Sequence, residues 1–282
     1  MIVLDRLLTA IIYLILFYVL FFIGKLVHRL LHREYDLSVE LVEKDNPAVA
    51  IALTGYYIGM VFAIGGAIVG PSYGLVMDMI YLGIYGLVGI VLLNISWFLC
   101  DLVILNRFKI SDELIRDRNC GTGVISFGMS LASGLIIFGS MSGEGGGMLS
   151  ALAFWAVGQF ILVVAARVYA AIIPYDVHAE IEKDNVAAGV GFAGALIGIG
   201  IVVGLAAQHE FQSWAESLGS YVIIALAGLI LLPAIRFLTD LVLIPNVKLT
   251  DEIASQETPN VGAAYIEAFS YIAASLVLLW CI

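Results

Sequence analysis

The sequence predicts an all-α polytopic membrane protein, with eight transmembrane helices built as two parallel-related four-helix repeats. Composition, the length of the apolar runs and an internal repeat each point there. Of 282 residues 62% are hydrophobic and only 13% charged, more apolar surface than a soluble domain of this length can bury. Uncharged runs recur at the length that crosses a hydrocarbon layer of roughly 30 Å. The two halves also carry matching motifs at a nearly constant offset.

The runs extend over Leu7 to Gly24, Pro47 to Met77, Met79 to Cys100, Asn119 to Gly143, Gly145 to Ala166, Asn185 to Gln208, Ser217 to Ile235 and Asn260 to Ile282, the last broken by Glu267. Trimming the polar turns predicts helices over 7–30, 47–70, 78–105, 120–141, 147–173, 186–207, 217–244 and 260–282. The first is expected to stay in the mature protein, because Asp5 and Arg6 make a weak basic region and no small-residue cleavage site follows. Residues 1–142 form the first repeat, 143–147 a glycine-rich connection and 148–282 the second repeat.

Basic residues set the expected orientation, since short loops rich in Lys and Arg remain in the cytoplasm. Lys25, Arg29, Arg33 and Lys44 surround the first connection, and Arg107, Lys109, Arg116 and Arg118 the third. Arg167 and Lys183 flank the fifth, Arg236 and Lys248 the seventh, and the other connections carry none. Both termini are therefore expected on the non-cytoplasmic side of a bacterial inner (plasma) membrane. The net charge of −10 does not oppose this, because the rule counts Lys and Arg rather than net charge.

The repeat aligns Glu43, Lys44, Asp45 and Asn46 with Glu182, Lys183, Asp184 and Asn185. The same offset of 139 carries Gly55, Gly59 and Gly65 onto Gly194, Gly198 and Gly204, and Asp101, Leu102 and Val103 onto Asp240, Leu241 and Val242. Lys109, Asp112 and Glu113 meet Lys248, Asp251 and Glu252, and a small insertion then moves Asn119 and Gly121 onto Asn260 and Gly262. An even number of spans gives both copies one orientation, so a pseudo-twofold axis along the membrane normal is expected to relate them. The doubled EKDN before a glycine-rich helix, then DLV and KxxDE, resembles the YjfL-like bacterial inner-membrane proteins, the domain of unknown function 350. That resemblance covers both halves and implies fold and location, with no reaction, cofactor or substrate.

Each motif admits a structural reading. Asn46 and Asn185 suit helix N-caps, and Pro47 suits the first helical turn. A cation site of the EKDN acids, such as Asp45 and Asp184, formed with Asp112, Glu113, Asp251 or Glu252, is the functional alternative, because all these carboxylates face one side. The alternation of Leu37, Val39 and Leu41, and of Val177, Ala179 and Ile181, predicts either a small two-stranded cytoplasmic sheet or an interfacial helix or loop. Gly55 with Gly59, and Gly194 with Gly198, share a helix face and predict close helix packing, within one chain or between copies.

Charges present in only one copy stand out. Glu267 aligns with Ser126, Arg236 with Trp97, and Arg167 with His28 or Val27. At 1.5 Å per residue, Glu267 and Arg167 lie roughly 10 Å inside the membrane from the cytoplasmic end. Charges at such depth face one another or water. Two readings follow: a structural ion pair of Glu267 with Arg236 or Arg167, or an ion pathway in which Glu267 is protonatable and Arg236 and Asp240 tune it.

An enzyme is not expected. His28, His32, His178 and His209 form no HExxH motif, and no Ser or Cys has an evident base. His28 and His32 are expected to snorkel at the membrane boundary. No catalytic residue, metal or cofactor is assigned, and Cys100, Cys120 and Cys281 are read as structural. The function expected is an ion or small-solute conduit, with a non-transporting scaffold or envelope-stress protein as the alternative. Expected partners are the bilayer, further copies of the chain, and a cytoplasmic or membrane protein, with no nucleic acid.

Overall fold

A computed structural model describes residues 2–281, with side chains from Arg6 onward. Eight long helices follow in chain order: α1 (Ile2–Leu31), α2 (Pro47–Val69), α3 (Leu75–Val103), α4 (Cys120–Ser142), α5 (Gly147–Ile172), α6 (Val186–Ala206), α7 (Trp214–Leu238) and α8 (Val261–Cys281). All eight are long and apolar enough to cross a membrane. Because directions alternate, the even-numbered helices all begin at the end that carries the basic turns, called here the capped end.

Four asparagines start these even-numbered helices. The Oδ1 of Asn46 accepts from the Ala48 and Val49 amides at the head of α2, and that of Asn119 from Thr122 at the head of α4. Asn185 and Asn260 do the same for Ala188 and Ala263 in α6 and α8. Each side chain satisfies one or two of the amide donors that a helix start leaves open.

The even helices stand in a row, α2 against α4, α4 against α6 and α6 against α8. Missing side chains let them approach. A Cβ on Gly55 would fall on the backbone of Phe127, and one on its repeat equivalent Gly194 on that of Ala268. Between α4 and α6, a Cβ on Gly200 would lie 2.6 Å from the Cα of Ala132. Such contact is how helices associate where no solvent drives them together. The odd helices form a second layer: α1 and α3 on α2, α3 and α5 on α4, α5 and α7 on α6, and α7 on α8. On its opposite face the row carries an apolar groove to which all four helices contribute, through Ile51, Phe127, Ile197 and Phe269 among others.

Two expectations need correction. The copies are related by a step along the row rather than by a twofold, since α4 meets α6 at the centre while α2 and α8 take the ends. A twofold that joined α4 to α6 would equally join α8 to α2. The expected two-stranded sheet is also absent among the described residues: Val39–Glu43 is a π-helical turn and Val177–Glu182 an α-helical one. Glu40 accepts from Asn46 at the head of α2, the Ile181 carbonyl accepts from Asn119 at the head of α4, and local backbone bonds such as Lys44 N–H to the Val39 carbonyl close the turn.

Candidate functional site

Three helices and a turn meet around Glu267. It lies in the second turn of α8, Arg236 lies in the last turn of α7, and Tyr169 lies in the last turn of α5. Glu267 is completely buried and Arg236 nearly so. Arg236 Nη1 donates to Glu267 Oε1, forming an ion pair inside the second repeat. The same oxygen accepts from the hydroxyls of Tyr271, at 3.2 Å, and Tyr169, at 3.3 Å. Arg236 Nη2 reaches Thr250 Oγ1 at 3.3 Å. With three donors on one oxygen, the charge is well compensated, as a buried pair requires.

The second carboxylate oxygen differs. Glu267 Oε2 is buried and has no hydrogen-bond partner among the described residues. It faces Gly191 of α6, where a Cβ would lie 2.8 Å from it and 2.8 Å from the Tyr169 hydroxyl. Glycine at 191 therefore keeps this oxygen from being crowded. Phe192 stacks on the Tyr169 ring, with centroids 4.9 Å apart, and fixes its direction.

The other residues singled out in the sequence are placed apart from this pair. Arg167 is exposed, and its Nη2 donates to the Val103 carbonyl at 2.8 Å, closing the C-terminus of α3. Asp240 accepts from the Leu249 amide at 2.8 Å, and its equivalent Asp101 accepts from Ile110 at 3.2 Å. Both carboxylates thus pin the turn that follows an odd helix, and Asp240 does not touch Glu267.

The acidic and asparagine motifs form a ladder across the capped end. Asn46 Nδ2 donates to Glu40 Oε2 in its own turn and to the Leu114 carbonyl in the next. Asn119 donates to Glu113 and to Ile181, and Asn185 to Glu180 and to Ile253. Asn260 donates to Glu252 alone. Asp184 adds a bond to the Gly121 amide at 3.1 Å. Asp45, Asp112 and Asp251 are exposed, and among the described residues no group of three or more His, Cys, Asp and Glu could hold a metal.

Burial pushes the Glu113 carboxyl above its ordinary range, helped by nearby Asp117 and Glu182 and opposed by the Asn119 hydrogen bond. Burial acts upward on Glu40 too, yet the hydrogen bonds from Lys44 and Asn46 hold that carboxyl below its usual value.

The first repeat has a different composition at the matching place. Trp97 stands where α7 has Arg236, and His32 meets it edge-on at 4.4 Å. His28 stacks on His32 at 4.2 Å and lies 4.3 Å from the Tyr56 ring. Both imidazoles are buried, with His28 Nδ1 and His32 Nε2 unpartnered among the described residues. The expected snorkelling does not occur, because α2 and α3 cover the inner face of α1 at this level. Tyr169, Tyr271, Thr250 and Gly191 were not singled out from sequence, since tyrosines and glycines abound in apolar helices. Glu40 and Glu180 had a signal in the acid that precedes Asn46, Asn119 and Asn185 by five or six residues.

Two comparisons bear on this arrangement. The family model described as Domain of Unknown Function (DUF350) matches twice in tandem, over residues 1–141 and 145–282. The chain belongs to this family. It is also 22% identical over 251 residues to a UPF0719 transmembrane protein of Aquifex aeolicus (strain VF5), covering 87% of this chain and 90% of the relative. No solved structure matches. Both DUF350 copies contain one pair of capping asparagines, and only the second contains the Glu267–Arg236 pair.

Proposed function

We propose that this DUF350 protein is an ion or small-solute conduit of a bacterial inner membrane, with Glu267 as the group that takes up and releases the transported species. The capped end faces the cytoplasm in this reading and both termini face away, because the basic residues gather in the capped-end turns. One observation carries the proposal: a fully buried carboxylate oxygen without a partner. Such an atom is costly to leave unmade, and a proton, a cation or a donor group of a solute would complete it. Arg236 and the two tyrosines hold the opposite oxygen, which keeps the carboxylate anchored while Oε2 exchanges its occupant. Intramembrane carboxylates in such company commonly lie on ion paths.

The second reading is a scaffold in which the pair only fastens α7 to α8. It is favoured by the three donors on Oε1 and by the complete burial of Glu267. Flux of protons, monovalent and divalent cations through purified protein in liposomes separates the two. The conduit predicts flux that Glu267→Gln reduces at least tenfold. Gly191→Ala, which keeps both charges and crowds Oε2, is expected to reduce it as well. Folded protein that passes none of the tested ions moves the assignment to the scaffold.

A further inference from the structure

The row ends in two edges, and each holds half of a joint that the chain already makes internally. At the α4–α6 joint, Asp184, with φ of 60°, gives its carboxylate to the Gly121 amide. Asn119 crosses the same joint to the Ile181 carbonyl at 2.7 Å, and the Ile181 side chain is fully buried there. The free edge of α2 repeats one side. Asp45 adopts the same left-handed conformation, with φ of 47°, but has no partner among the described residues. Leu41, which follows Glu40 as Ile181 follows Glu180, is only half-buried here, and its neighbour Val42 is 81% exposed.

The free edge of α8 repeats the other side. Gly262 stands where α4 has Gly121, and a Cβ there would meet only the Asn260 side chain. Asn260 caps its helix as Asn119 does, yet its Nδ2 crosses to no neighbouring turn. One edge offers a carboxylate, a carbonyl-bearing turn and an apolar side chain; the other offers an amide and an amide donor.

We infer that the α8 edge of one chain docks against the α2 edge of a second copy, with Asp45 at the Gly262 amide and Asn260 at the Val42 turn. The occupant is another copy of this chain because the surface continues an interface the chain has already built between α4 and α6. The new joint is not a full replica. Phe269 and Trp280, which are 59% and 80% exposed, replace the glycines at 128 and 139, and Val61 replaces Gly200. Those side chains hold the helices further apart beyond the capped end, so the joint is tight at the caps and opens away from them. A head-to-tail contact of this kind closes into a ring when its rotation allows.

The full chain in lipid nanodiscs, weighed by native mass spectrometry, tests the inference together with cysteine cross-linking. The background carries Cys120→Ser and Cys281→Ser, and the probe pair is Asp45→Cys with Gly262→Cys. The expected result is a mass of two or more 30.3 kDa chains and an intermolecular cross-link that needs both substitutions. Val42→Glu, on a side chain already exposed, is expected to weaken association at least tenfold without unfolding the chain. A single-chain mass throughout overturns the inference and leaves lipid on both edges. So does an oligomer in which the pair fails to cross-link, or in which either substitution alone cross-links as well.

Discussion

Glu267 carries two unlike oxygens, one with three donors and one with none. Removing its charge leaves Arg236 buried and unpaired, a change that typically destabilises by about 3–5 kcal/mol. Glu267→Gln is therefore expected to lower the melting temperature in detergent, and Glu267→Gln with Arg236→Met to restore much of it. Recovery by the double variant marks the loss as uncompensated charge; equal loss in both would assign it to packing. Gly191→Ala inserts a methyl 2.8 Å from the free oxygen, and overpacking of this kind costs about 1–3 kcal/mol. The pair itself was legible in the sequence, because a charge deep in an apolar run demands a partner and only Arg236 and Arg167 were at hand. Which arginine it takes was not legible. That depends on helix rotation, and Arg167 points outward to close α3.

Among the elements, the caps make the clearest comparison. Asn119 caps α4 and also spans to the turn before α6, whereas Asn260 caps α8 and spans to nothing beyond its own turn. Loss of a cap costs about 0.5–2 kcal/mol, so Asn119→Ala is expected to exceed Asn260→Ala by the value of the extra buried bond, about 1 kcal/mol. Equal costs would mean that the spanning bond contributes nothing. Acid acts on the same turns with two signs. Glu113, raised in the folded state, takes up its proton before the unfolded chain does, so stability first rises as pH falls through the raised value. Glu40, held low, contributes stability above the ordinary carboxylate range, and this is lost as pH drops through its lowered value. A melting-temperature profile in detergent should therefore pass through a maximum, and Glu113→Gln should remove its rising limb. Six of the eight helices were legible to within three residues at each end, from run length and asparagine starts, whereas α1 begins five residues before and α7 ends six residues before the expected bounds. The turns were not, because alternation over five residues suits a strand or a short helical turn equally.

Across the molecule, the α4–α6 joint binds the two family copies through caps, carboxylate and close backbone contact. Cutting the chain within Gly143–Gly147 and expressing the halves together should yield a complex that co-purifies. Failure of the halves to associate would show that the covalent link, rather than this joint, holds them in register. The tandem repeat was plain from the EKDN pairs, but its inner grain was hidden. Asn46 and Asn119 play one role, yet Pro-Ala-Val follows the first and Cys-Gly-Thr the second. Equivalence that lives in hydrogen bonds leaves little trace in letters.

That inner grain has a consequence for how such chains can grow. The unit that recurs is a helical hairpin: an outer helix, an acidic turn, a capping asparagine and an inner helix, four times over. A hairpin enters and leaves the bilayer on the same face, so losing one or gaining one shortens or extends the row without inverting anything downstream. A three-hairpin or five-hairpin descendant would insert the same way up, and its new end would present the same unspent cap.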